Sequence, residues 1–96
     1  MSREIKTEHF FCTRVEAKHY YNERRRLNPT YNLIKFTYFG NGELLCYYLV
    51  TTRTLMSVIC ESYDYLGMLA RYSLNELGYE PVEVGYFLAG IEVIDF

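Results

Sequence analysis

Hydrophobic and polar positions alternate most cleanly on either side of Gly40-Asn41-Gly42-Glu43, over residues 33–39 and 44–50. Asn-Gly accepts the positive φ angles that a tight primed turn requires, so the pattern predicts a β-hairpin. With Asn41-Gly42 as the loop, Ile34, Phe36 and Tyr38 share a wholly apolar face with Leu49, Tyr47 and Leu45. The opposite face carries Lys35 and Thr37 with Phe39, Leu44, Cys46, Tyr48 and Val50 and is mixed. A slip of one residue would scramble both sets, so turn and pattern specify one register.

After Thr51-Thr52-Arg53-Thr54 the period lengthens. Met56, Ile59, Tyr63, Leu66, Ala70, Leu74 and Leu77 recur at steps of three and four, one stripe of a helix. Thr52 or Thr54 can cap its start, and Gly78 followed by Pro81 marks its end. Gly67 interrupts the stripe at a cost of about 1 kcal/mol relative to Ala. It either permits close packing on a sheet or divides the segment; one long, bent helix is the expectation. Residues 82–88 then alternate as a strand, which Ala89-Gly90 turns or bulges into residues 91–96.

Residues 6–17 also alternate, with Phe11, Thr13, Val15 and Ala17 on one side, and predict a first strand. Residues 16–27 are rich in helix formers and place Ala17, Tyr20, Tyr21, Arg24 and Leu27 on one face. They form either a short helix ending before Asn28-Pro29 or an extension of the strand into a long turn. The helix reading yields βαββαβ, the split-βαβ or ferredoxin-like order, and is favoured; the other yields βββαβ. Both are α+β: a small antiparallel sheet with one long helix packed on one face.

Ninety-six residues, half of them hydrophobic, suit a single compact domain spanning residues 1–96. A chain of this size buries roughly 60–70% of its unfolded surface. Eleven Tyr, six Phe and no Trp fit pleated strand faces, with phenol tips left at a rim. No apolar run approaches the ~18 residues that span a bilayer, and the start MSREIKTEHF is polar, so neither a membrane anchor nor a signal peptide is expected. Cys12, Cys46 and Cys60 are odd in number and lie in apolar surroundings, which predicts free, buried thiols in the cytoplasm.

Charge is distributed unevenly. Residues 1–35 carry a balance of +4 and residues 36–96 a balance of −6, for a net −2. The basic third contains Tyr20-Tyr21-Asn22-Glu23-Arg24-Arg25-Arg26-Leu27-Asn28-Pro29-Thr30-Tyr31, three arginines between tyrosines. As a solvated turn it would pair its arginines with Glu23 and neighbouring acids. As a contact surface it would offer Tyr20, Tyr21, Arg24, Arg25, Arg26 and Tyr31 to a partner, since Arg and Tyr dominate interface hot spots.

Signatures of chemistry are weak by comparison. His9-x-x-Cys12 has zinc-ligand residue types, but residues three apart on a strand point to opposite faces. Glu61 and Asp64 share a helix face, as solvating carboxylates do. Nucleophile and phosphate-loop patterns are lacking. The expectation is therefore a non-enzymatic accessory or regulatory protein, without cofactor or metal, that works by protein–protein binding. Small phage- or plasmid-type inhibitors of a host enzyme or defence complex are the analogy. Second comes a nucleic-acid-binding module, in which the arginines neutralise phosphates and the tyrosines stack on bases. It lacks the basic-Gly-aromatic signature of an RNA-recognition strand, and the pI near 5.6 opposes it. A small metal-dependent enzyme is third. An aromatic-rich edge strand would also suit a homodimer.

Overall fold

The hairpin forms in the expected register. β2 (Asn32–Gly40) and β3 (Glu43–Thr51) run antiparallel, with Ile34 opposite Leu49, Phe36 opposite Tyr47 and Tyr38 opposite Leu45. Asn41 at φ 52° and Gly42 at φ 76° both occupy the left-handed region, as a primed turn demands. This computed structural model describes residues 7–63, 68–78 and 86–94.

Before the hairpin, β1 (Glu8–Phe11) is shorter than the alternation suggests, and α1 (Arg14–Leu27) begins inside the expected strand. Thr13 is the reason. Its Oγ1 accepts the Glu16 backbone N–H at 3.3 Å, and Thr-x-x-Glu is the spacing of a capping box. Val15, expected to face inward on a strand, is consequently exposed. At the other end the Asn28 N–H donates to the Arg24 carbonyl at 2.9 Å, and Asn28 Oδ1 accepts the Thr30 N–H at 3.1 Å, closing α1 before Pro29. The helix reading of residues 16–27 is the observed one.

β3 pairs on one side with β1 and on the other with β2, and β2 pairs in turn with β4 (Phe87–Val93). All three pairings are antiparallel, and the order is β1-β3-β2-β4. β1 and β2, each antiparallel to β3, are parallel to one another, so β1-α1-β2 is a split βαβ unit. A ferredoxin-like sheet would place its last strand beside β1; here it lies beside β2. A four-residue β1 offers few ladder bonds, whereas nine-residue β2 can pair with the whole of seven-residue β4. The α+β class holds, and the strict ferredoxin-like order does not. Thr37 opposes Gly90 and Tyr38 opposes Leu88, so Ala89 is the extra residue of a β-bulge, not a turn. Residues 82–85 of the expected strand lie outside the described residues.

The long apolar stripe is two helices, α2 (Leu55–Tyr63) and α3 (Met68–Glu76). Gly67 and the rest of the junction lie outside the described residues. Thr54 Oγ1 accepts the Ser57 N–H at 3.2 Å and starts α2; Gly78, at φ 89°, closes α3 by donating its N–H to the Asn75 carbonyl at 3.0 Å. α2 buries Val58 and Ser62 and packs Leu55 inward, while Met56 and Tyr63 of the expected stripe face solvent. Two helices set their rotations separately, which a single stripe read across both cannot capture. Leu74 and Leu77 of the second half do point into the core; Leu66 and the Ala70 side chain lie outside the described residues.

Two apolar clusters result, one on each face of the sheet. Beneath α2 and α3, Ile34, Phe36, Tyr38, Tyr47 and Leu49 pack with Val58 and Leu74. Phe36 and Tyr47 stack at 4.7 Å with rings nearly parallel, so the opposed pair of the hairpin is also its tightest ring contact. Beneath α1, Leu33, Tyr48 and Val50 pack with Ala17, Tyr21 and Tyr31. Instead of one helical layer on one face, the sheet carries helices on both.

Polar groups tie these layers together. Arg53 donates to Ser57 Oγ at 3.1 Å and reaches Glu8 at 3.5 Å, and it also pairs with Glu61, joining β1 to α2. Under the helices, Ser73 Oγ donates to the Tyr47 hydroxyl. Ser62 Oγ is buried without a hydrogen-bonding partner among the described residues, and the Tyr38 hydroxyl is buried beside that of Tyr47. Burial pushes the Tyr38 phenol up to about 12, and it raises that of Tyr47 further still.

All three cysteines are free, yet Cys12 and Cys60 are exposed and only Cys46 is half-buried. The expectation of buried thiols fails because Cys12 sits in the link between β1 and α1 and Cys60 on the outer side of α2. No helix among the described residues is long and apolar enough to cross a membrane.

Candidate functional site

The arginine run is the last turn of α1, not an irregular turn. The carbonyl end of a helix carries partial negative charge, so three basic side chains there favour the helix before any partner is considered. That local role accounts for their position. It does not account for what surrounds them.

Glu23, which a solvated turn would pair with the arginines, instead lies 3.5 Å from His19, one turn back along α1. Among the described residues no carboxylate lies within ion-pair distance of Arg24, Arg25 or Arg26. Two of the three guanidinium groups are held by tyrosines. Arg24 lies over the Tyr20 ring at 4.9 Å; Arg25 lies over the Tyr21 ring at 5.6 Å and donates to its hydroxyl. A cation over an aromatic face keeps its full charge while losing some of its freedom. The turn therefore presents fixed, unneutralised positive charge, with Arg26 exposed at its end.

The tyrosines expected to share in binding separate into two groups. Tyr21 and Tyr31 are each 6% exposed and belong to the core beneath α1. Their rings are spent on packing, and Tyr21 reaches the surface only by positioning Arg25. Tyr20, one residue along the helix, is half-buried at the rim. It stacks on exposed His9 of β1 at 5.0 Å and tilts against Phe11 at 5.2 Å, while His9 and Phe11 meet edge to face at 5.5 Å. His9, Tyr20 and Arg24 thus form a continuous column from the sheet edge onto the basic turn. Sequence reasoning had set His9 aside with the metal candidates and left Phe11 in the strand pattern. The usable signal was the capping box at Thr13, which folds α1 back over β1 and brings residues 9 and 20 together.

Glu8 and Glu61 are tied to Arg53, and Glu92 lies 4.0 Å from Lys35. Among the described residues no group of three or more His, Cys, Asp or Glu side chains stands together as metal ligands would. Comparison with protein-family models, with curated proteins and with solved structures returned no match.

Proposed function

We propose that this protein acts by binding an acidic surface of another protein, without chemistry of its own, as a small regulatory or inhibitory factor in the cytoplasm. The observation that carries the reading is the set of three arginines with no carboxylate partner among the described residues, two of them held in place by tyrosine rings. Ordering a long cation before binding removes part of the entropy cost of docking, so a pre-positioned guanidinium gains more from a carboxylate than a mobile one. The rim ring of Tyr20 adds rigid apolar area beside the charge, the pairing that hot spots favour. Free cysteines suit a reducing compartment.

A nucleic-acid partner is the second reading, and the His9–Tyr20–Arg24 column favours it, because stacked rings beside a guanidinium also suit unpaired bases. One experiment separates the two. Native protein and an Arg24/Arg25/Arg26→Ala variant are compared in capture of proteins from lysate and in anisotropy with labelled oligonucleotides at two salt concentrations. The protein-binding reading expects a captured partner that the variant loses and no salt-sensitive oligonucleotide binding. Identical capture by both chains sinks it. Oligonucleotide binding that weakens steeply with salt and disappears in the variant replaces it with the second reading.

A further inference from the structure

The sheet has two outer strands, and they are finished differently. β4 carries the Ala89 bulge, a device that twists an edge and interrupts its row of backbone groups. β1 has no such interruption. Its four residues pair only with β3, so alternate N–H and C=O groups point away from the sheet, and among the described residues no element pairs with them. That edge is flanked by aromatic rings on both faces. Toward α1 stand His9 and Phe11 with Tyr20; toward α2 and α3 stands Phe10, edge to face with exposed Tyr72 at 6.1 Å. A strand added beside β1 would lie about 4.8 Å away and turn its side chains alternately to the two faces. Those beside His9, Phe10 and Phe11 would meet a ring; Glu8, held by Arg53, stands at the fourth position.

Charge selects the strand's side chains on the α1 face only, since the other face holds Glu8 against Arg53 and Glu76 against Tyr72. Arg24 lies on the far side of the His9–Tyr20 stack and has no carboxylate partner among the described residues. We propose that the free edge of β1 receives an extended, acidic segment of the partner protein as an added strand. Its alternate side chains rest on His9, Phe11 and Tyr20 toward α1 and on Phe10 and Tyr72 toward the other helices, and one carboxylate meets Arg24. The few backbone hydrogen bonds of this short edge fix the added strand's direction and register, and the charge and rings supply the choice of sequence and the rest of the affinity. The inference rests on the protein-binding reading above and gives its partner a conformation and a composition.

A random-peptide library is selected against the intact protein, and the strongest binder is remade with alternate backbone amides methylated. The expected result is enrichment of Asp or Glu, binding that shifts the amide resonances of Glu8, His9, Phe10 and Phe11, and an affinity loss of at least about tenfold on methylation. An acidic binder lost in Arg24→Glu but indifferent to methylation overturns strand addition while leaving arginine docking intact. Binders without acidic residues, or no binder at all, overturn the proposal outright.

Discussion

The two faces of the hairpin begin with similar material and end differently. Toward α2 and α3, every ring the strands supply is covered: Phe36 and Tyr47 are fully buried and Tyr38 is 3% exposed. Toward α1, cover stops half-way. Leu33, Tyr48 and Val50 lie under the helix, while Phe39, Leu44 and Phe87 at the turn end remain 40%, 69% and 60% exposed. Phe39 even meets Phe87 edge to face at 5.9 Å, a ring contact formed in view of solvent. Residue type does not separate Phe36 from Phe39; they lie on opposite faces, and Phe39 stands next to the turn. The helices overhead do separate them, and the difference shows that burial of a strand residue belongs to the element that crosses it.

The largest expected effect tests that contrast directly. Phe36→Ala or Tyr47→Ala should cost about 3–5 kcal/mol, read from urea denaturation, because each removes a fully enclosed ring. Phe39→Ala should cost less than about 1 kcal/mol in the same assay. Equal losses for Phe36→Ala and Phe39→Ala would mean that the turn end of the α1 face is covered in solution, and the contrast would fall.

Alkali should weaken the enclosed face. Tyr38 is neutral in both folded and unfolded chains below pH about 10, so its shift has no effect there. Above that, the unfolded phenol ionises while the folded one stays protonated up to about 12, and stability falls through this window, by about 2–3 kcal/mol for Tyr38. Tyr47, shifted in the same direction by burial, adds to the loss. Denaturation measured across pH 9–12 should show the fall, and Tyr38→Phe should reduce it. At neutral pH the same variant should lose less than about 1 kcal/mol, since the buried hydroxyl it removes meets only that of Tyr47. A Tyr38→Phe profile that overlays the native one would place Tyr38 in water.

Arg53 provides an intermediate effect. Arg53→Met keeps most of the stem but loses the contacts to Glu8, Ser57 and Glu61, and should lower stability by about 1–2 kcal/mol. Smallest of all, Arg24/Arg25/Arg26→Ala should change stability by about 1 kcal/mol or less, through the helix end alone. Thermal melts at low and high salt would check this. A larger loss would make the arginines part of the fold and not a surface held ready for a partner.

Much of this was legible in the sequence because it is local. Asn41-Gly42, strand parity, Thr54 and Gly78 each act within a few residues, and the register, the turn and two helix ends follow from them. Thr13 was equally local and was outweighed by an alternation that ran through it. The candidate site was legible only as a composition. That Arg24, Arg25 and Arg26 cluster with tyrosines is written in the chain; that Tyr21 and Tyr31 are core and Tyr20 is rim depends on which side of α1 meets the sheet.

What the chain by itself determined is therefore the hairpin, its register and its apolar face, with the caps at Thr54 and Gly78, since hydrogen bonding at turns and caps and the two-residue period of a strand need no distant partner. The tertiary structure decided the rest. β4 joined β2 because only a long strand offers it a full ladder, α2 and α3 took separate rotations, and α1 covered half a face. Each of these is a competition between surfaces far apart in sequence, settled by which pairing buries more apolar area and satisfies more polar groups at once.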